Sequence, residues 1–317
     1  MPPFITLPII LLAVAVLLYF LIPLPMARKL LRPPRMSDGK AIYLLKRLSP
    51  ADLDMPYEPL SFPIRDQQTG SPLTIASWWI PNPNAPNSPR TALLIHGYAD
   101  AKVGSIAWAP LFHTLGYHVL AIDLRAHGDS TGLNVTAGFW DRHDLSQVID
   151  QLRHQRPHQT QELILFGISL GAAVAIATAE LRDDLTAVIV ESPFADYPTA
   201  ILSHANLMGM PGPSFVRRAI SHAQRLSQSD FQSVTPARLI PLIHCPILVI
   251  SAGNDPLVGT SLPELQSAIN QRHDHSQFWQ VDGAYHVESL LSNREEYLHR
   301  IQCFLSTAPS SPPTPHP

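Results

Sequence analysis

The stretch Glu162-Leu-Ile-Leu-Phe-Gly-Ile-Ser-Leu-Gly-Ala-Ala-Val-Ala-Ile-Ala-Thr-Ala179 constrains the fold more than any other. An apolar run of strand length meets a small-residue helix through Gly167-Ile168-Ser169-Leu170-Gly171, a G-x-S-x-G turn. Such a turn lifts a serine hydroxyl clear of the sheet and leaves it at a helix N-terminus. Glycines without a Cβ let that helix pack close to its strand. The helix start adds N–H donors and positive dipole character beside Ser169. An ordinary strand-to-helix turn with a solvated serine is the alternative. The Ala-rich helix that follows argues for the first reading.

The surrounding rhythm agrees. Strands are predicted near 91–95, 118–123, 162–166, 186–191, 246–251 and 277–281, and helices near 104–115, 140–155, 171–181, 262–272 and 288–305. Runs such as Ala187-Val-Ile-Val190 and Ile247-Leu-Val-Ile250 suit strands buried on both faces of a parallel sheet. Pro59–Arg65 and Leu73–Ile80 precede them as a hairpin turning at Asp66-Gln-Gln-Thr-Gly70. Residues 195–245 form either a small cap over the sheet or one irregular helix with loops.

The N-terminus is organised differently. No charged side chain occurs from Met1 to Ala27, and residues 4–26 are almost wholly apolar, long enough for a span of roughly 20 residues. A cleavable signal peptide competes, but there is no basic n-region and Pro23-Leu-Pro-Met-Ala27 is a poor cleavage site. Residues 28–47 hold seven Lys/Arg against Asp38, a net +6; the remaining 15 Lys/Arg and 24 Asp/Glu leave −9 elsewhere. The collar Arg28, Lys29, Arg32 and Arg35 suits anionic headgroups and predicts a single-pass membrane protein with its body on the cytoplasmic side. A folded domain of that sign argues against nucleic acid. Residues 1–27 thus read as an anchor, 28–48 as a basic juxtamembrane segment, and 306–317, with five prolines from Thr307 onward, as a disordered tail. Nothing in residues 1–35 is expected to serve chemistry. Cys245 and Cys303 are expected as free, buried thiols, and no Cys/His cluster implies a metal.

A serine hydroxyl becomes nucleophilic when a base takes its proton and a third group orients that base. Downstream of Ser169, Asp255 follows the strand Ile247–Ile250 and His286 follows Gln277–Val281. Strand ends are where parallel sheets place reactive groups. Asp282 is the alternative acid, on the same loop as His286. Oxyanion donors are expected from the backbone N–H of Leu170 and of Tyr98, after the strand Thr91–Ile95; the His96 side chain reads as structural.

The ordered elements His96-Gly97, Asp123-Leu-Arg-Ala-His-Gly-Asp-Ser130, Gly167-Ile-Ser-Leu-Gly171, Asn254-Asp255 and Tyr285-His286 resemble the α/β-hydrolase superfamily. They are most similar to its serine-aminopeptidase-like and acyl-thioesterase-like branch, several members of which carry an N-terminal membrane anchor. Ser49-Pro-Ala-Asp-Leu-Asp-Met-Pro-Tyr57 and Trp78-Trp79-Ile-Pro81 resemble that branch too. The resemblance covers roughly 49–305. It implies an α/β fold with a mostly parallel eight-stranded sheet and helices on both faces, here preceded by one transmembrane helix. It implies Ser169, Asp255 and His286 as the triad of a serine hydrolase; it does not fix the substrate, and a small-molecule or lipid-like acyl compound is expected, with no cofactor. Ala126 departs from the family, which often has Gly there. A non-catalytic scaffold would be favoured by a missing triad member, and none is missing. A dinucleotide-binding Rossmann protein would want G-x-G-x-x-G after the first parallel strand, and it is absent.

Overall fold

A computed structural model of the chain describes residues 21–308 except Pro211, together with Leu7, Ile10, Leu11, Leu12, Val14 and Leu17. The strands are β1 (Glu58–Arg65), β2 (Pro72–Ile80), β3 (Arg90–Ile95), β4 (His118–Ile122), β5 (Glu162–Ile168), β6 (Ala187–Glu191), β7 (Ile247–Ala252) and β8 (Gln277–Val281). They form one eight-stranded sheet in the order β1-β2-β4-β3-β5-β6-β7-β8. β2 runs antiparallel to both β1 and β4, and every pairing from β4 through β8 is parallel. This is the α/β-hydrolase fold, with the strand boundaries close to those the apolar runs predict.

Strand alternation sorts the core into two layers. Leu93, Ile95, Leu163 and Leu165 face one, together with helices α1 (Pro23–Leu31), α5 (Asp141–Gln155) and α6 (Leu170–Glu180), while α2 (Asp38–Leu45) lies on the other side. Ala92, Leu94, Ile164 and Phe166 face the other, against α2, α3 (Lys102–Ser105), α4 (Ala109–Thr114) and, at the chain's end, the helix Arg294–Thr307. The central helix α6 is buried almost throughout, which is why its residues are Ala, Val and Ile rather than an amphipathic mixture.

Four expectations change. The helix near 104–115 is broken into α3, a 3-10 turn (Ile106–Trp108) and α4, where Pro110 occupies the first turn. The helix near 288–305 divides into Ser289–Ser292 and Arg294–Thr307, because the Asn293 side chain accepts the N–H of Glu296 and starts a new helix. Residues 195–245 contain α7 (Tyr197–Leu207), α8 (Pro213–Ser227) and the short α9 (Pro236–Leu239) rather than one irregular helix. Phe215, Val216, Ala219, Ile220 and Ala223 give α8 a buried apolar stripe. Both cysteines are free, but Cys303 is exposed and only Cys245 is buried.

About half of the predicted span over 4–26 lies outside the described residues. Those of its residues that are described before Pro23 expose their apolar side chains. Among the described residues no helix is long and apolar enough to cross a membrane. The juxtamembrane segment, by contrast, is built into the domain. Ala27 and Leu31 of α1 are buried in the first core layer, where α1 packs on α8, and Ala41 of α2 is buried in the second. Residues 32–37 therefore cross from one face of the sheet to the other. The crossing is pinned beyond the C-terminal end of β4: Arg35 Nη1 donates to the carbonyls of His127 (3.1 Å), Gly128 (2.6 Å) and Ser130 (2.6 Å). Residues 23–35 thus contribute packing and hydrogen bonds to the domain, while none of these contacts involves Ser169, Asp255 or His286. The tail from residue 309 lies outside the described residues.

Candidate active site

Ser169 sits between β5 and α6 at φ 52° and ψ −112°, a region non-glycine residues rarely occupy. Close approach holds it there. A Cβ on Gly167 would overlap the carbonyl of Gly171, and one on Gly171 would overlap the carbonyls of Ile95 and His96. The Ser169 N–H donates to Glu191 O at 2.9 Å, tying the turn to the end of β6.

The structure brings Ser169, His286 and Asp255 together from three strand ends. Ser169 Oγ lies 2.9 Å from His286 Nε2, and His286 Nδ1 lies 2.6 Å from Asp255 Oδ2. With the proton on Nδ1, the ring donates to Asp255 and accepts from the serine hydroxyl. Asp255 is buried, and its Oδ1 accepts the N–H groups of Leu257 (2.9 Å) and Val258 (3.1 Å), which fixes the carboxylate's orientation. Asp282, the alternative acid, is exposed and stands apart from this chain of hydrogen bonds.

The loop after β3 lies alongside. Gly97 is close enough that a Cβ there would contact Ser169 Cβ at 3.5 Å. His96 is fully buried; its Nε2 accepts the N–H of Leu124 (3.0 Å) and its Nδ1–H donates to Gly97 O (2.7 Å). Burial, with His127 beside it, pushes its pKa down to about 3, so the ring is neutral and structural. His127 Nε2 in turn accepts the N–H of Ala99 (3.3 Å). Turned by these two rings, the loop leaves the Tyr98 N–H without a protein acceptor among the described residues, as is the Leu170 N–H at the start of α6. Ala126 adopts φ 61°, the left-handed region, which is the physical reason glycine suits that position.

Two features escaped the sequence. The Tyr98 side chain reaches α1, its O–H donating to Lys29 O at 2.8 Å. Glu191, a charge closing the apolar strand Ala187-Val-Ile-Val-Glu191, is completely buried beside Ser169. An acidic residue ending a both-faces-buried strand was the available signal.

The serine aminopeptidase (S33) family, Hydrolase_4, matches residues 87–239. The protein YqkD of Bacillus subtilis (strain 168), itself uncharacterised, is 26% identical over 223 residues, covering 69% of this chain and 72% of YqkD. The lysophosphatidylserine lipase ABHD12 of Danio rerio is 30% identical over 176 residues, covering 52% of this chain and 43% of the lipase. The Pyrococcus furiosus esterase Pf2001 superimposes with TM-score 0.68 at 22% identity, covering 87% of this chain and 99% of the esterase. Together with the site geometry, these likenesses support a serine hydrolase built on an α/β-hydrolase fold.

Proposed function

We propose that the protein is a membrane-anchored hydrolase that cleaves an acyl ester, thioester or amide through an acyl-enzyme on Ser169, a carboxylic ester being the favoured substrate. The observation that carries this is the unbroken run from Ser169 Oγ through His286 to Asp255, at 2.9 and 2.6 Å. His286 Nε2 takes the hydroxyl proton as Ser169 Oγ forms a bond to the acyl carbon. Asp255 holds the imidazolium that results. The Tyr98 and Leu170 N–H groups receive the oxyanion. Collapse of the intermediate breaks the bond to the leaving group, which departs with the proton from His286. Water then repeats the sequence on the acyl-enzyme, releasing a carboxylic acid and free Ser169.

A lipid-like acyl group is supported by the ABHD12 relative, a lysophosphatidylserine lipase. The apolar residues 4–26 and the collar Arg28, Lys29, Arg32 and Arg35 support a single-pass anchor with the catalytic domain in the cytoplasm. A fluorophosphonate probe tests the nucleophile: it should label the wild type and not Ser169→Ala, whose turnover should fall by several orders of magnitude with the fold intact. Persistent labelling of the variant would move the nucleophile elsewhere. The substrate class is tested with p-nitrophenyl esters of increasing chain length, an acyl-CoA and an aminoacyl anilide.

A further inference from the structure

Glu191 and Ser192 hold both sides of the site at once. The Glu191 carbonyl accepts the N–H of Ser169 at 2.9 Å. Its side chain reaches the segment after His286: Oε1 accepts the N–H of Ser289 at 3.0 Å. Ser192 Oγ accepts the N–H of Val287, the residue next to His286, at 3.1 Å. Val287 has φ 61°, a conformation disfavoured for a β-branched residue, so something outside the loop must hold it. Glu191 is itself fixed from the far side. Tyr297 O–H donates to Oε2 at 2.7 Å, and Trp108 Nε1–H donates to Tyr297 Oη at 3.1 Å. No ion pair compensates this buried carboxyl among the described residues, and burial raises its pKa above the ordinary carboxylate range. A fully buried acid without a cation is an expensive core residue. Its hydrogen bonds run to the His286 loop and to the Tyr297–Trp108 pair, and the first of these gives it a use in placing the loop.

We propose that Glu191 is a positioning residue that sets His286 against Ser169, by anchoring Ser289 through its carboxylate while the adjacent backbone anchors the serine turn. Ser192 completes the clamp at Val287. The inference rests on Ser169 and His286 being nucleophile and base. A rigid strand end common to both keeps their separation from depending on the loop 282–286 alone. A displacement of about 1 Å at such a pair costs on the order of 100-fold in rate.

The test uses the full chain, with circular dichroism to establish folding. Glu191→Ala should lower kcat for a p-nitrophenyl ester, and the rate of fluorophosphonate labelling, by about 10- to 100-fold, with KM within about twofold. Glu191→Gln should recover most of the loss, because its carbonyl oxygen still accepts from Ser289 and Tyr297 can turn its hydroxyl to accept the amide. Phe62→Leu, in β1 at the opposite edge of the sheet, is the stability control and should leave kcat near wild type. If Glu191→Ala does not fold, Ser192→Ala takes its place, with an expected kcat loss of about tenfold at unchanged KM. A folded Glu191→Ala or Ser192→Ala variant with wild-type kcat and labelling overturns the proposal. So does an equal kcat loss in Phe62→Leu at matched thermal stability. If the wild type is not labelled at Ser169, the underlying assignment fails; if it is and the clamp variants label at the same rate, the clamp alone fails.

Discussion

At the scale of single residues, the two aspartates near His286 separate by geometry. Asp255 Oδ2 is 2.6 Å from His286 Nδ1, while Asp282 is exposed on the preceding turn. Asparagine in place of the true acid keeps the shape but offers an N–H where an acceptor is required. Asp255→Asn should lower kcat by about 10³ to 10⁴, as in serine proteases. Asp282→Asn should stay near wild type, and steady-state kinetics on the two folded variants decides between them. His96 makes a different prediction. Its folded pKa of about 3 lies below the ordinary 6.5, so the unfolded chain takes up a proton that the native ring refuses. The stability from this group is complete above about pH 6.5 and is lost as pH falls from there to about 3. Asp100 and Asp144, each pushed up to about 6 by burial, act in the opposite sense, losing stability as pH rises through that value. Subtracting the pH dependence of His96→Gln urea midpoints from that of wild type isolates the His96 share, and the variant should decline less steeply on acidification.

At the scale of elements, the first helix matters most for what the domain needs. α1 buries Ala27 and Leu31, packs on α8, and accepts the Tyr98 hydroxyl at Lys29 O, while Arg35 pins the loop 127–132. Leu31→Ala should cost about 2–5 kcal/mol, read from urea denaturation. Deleting residues 1–20 should leave an active enzyme, whereas deleting 1–35 should uncover the apolar face of α8, release the loop carrying Tyr98 and lower kcat on a soluble ester. Equal activity of the two truncations would show that the helix is dispensable. The parallel strands and the Ser169 turn were legible because both-faces-buried strands read as continuous apolar runs and the glycines at 167 and 171 answer a local steric demand. Asp255 was legible because it follows such a run, and His286 because it follows the next strand, Gln277–Val281. The role of α1 was not, since a short helix after an apolar stretch carries no local mark of the surface it packs on. The clamp at Glu191 was equally hidden: its partners Ser289 and Tyr297 stand 98 and 106 residues away.

At the scale of the whole molecule, the charge distribution and the site geometry point the same way. Arg28 and Lys29 are exposed on α1 and Arg32 is exposed just past its end, and the segment that follows crosses the sheet beyond the C-terminal ends of the strands, the edge that carries Ser169. If residues 4–26 span a bilayer, this order holds the Ser169 edge within one short helix of the membrane surface. In that arrangement the positive residues would stay on the cytoplasmic side. A reporter fused after Pro317 should then read cytoplasmic, and the protein should remain with membranes after a high-salt wash. A periplasmic reporter would instead restore the cleavable signal peptide. The same geometry separates two substrates. The full chain in vesicles and the form lacking residues 1–20 should turn over a short, soluble p-nitrophenyl ester alike, since α1 and the site are common to both. On a long-chain ester embedded in vesicles the full chain should be faster, because the anchor keeps the site at the surface where the acyl group is presented and substitutes local concentration for diffusion from solution. Equal rates on the embedded ester would separate anchoring from substrate delivery and leave a soluble acyl compound as the substrate.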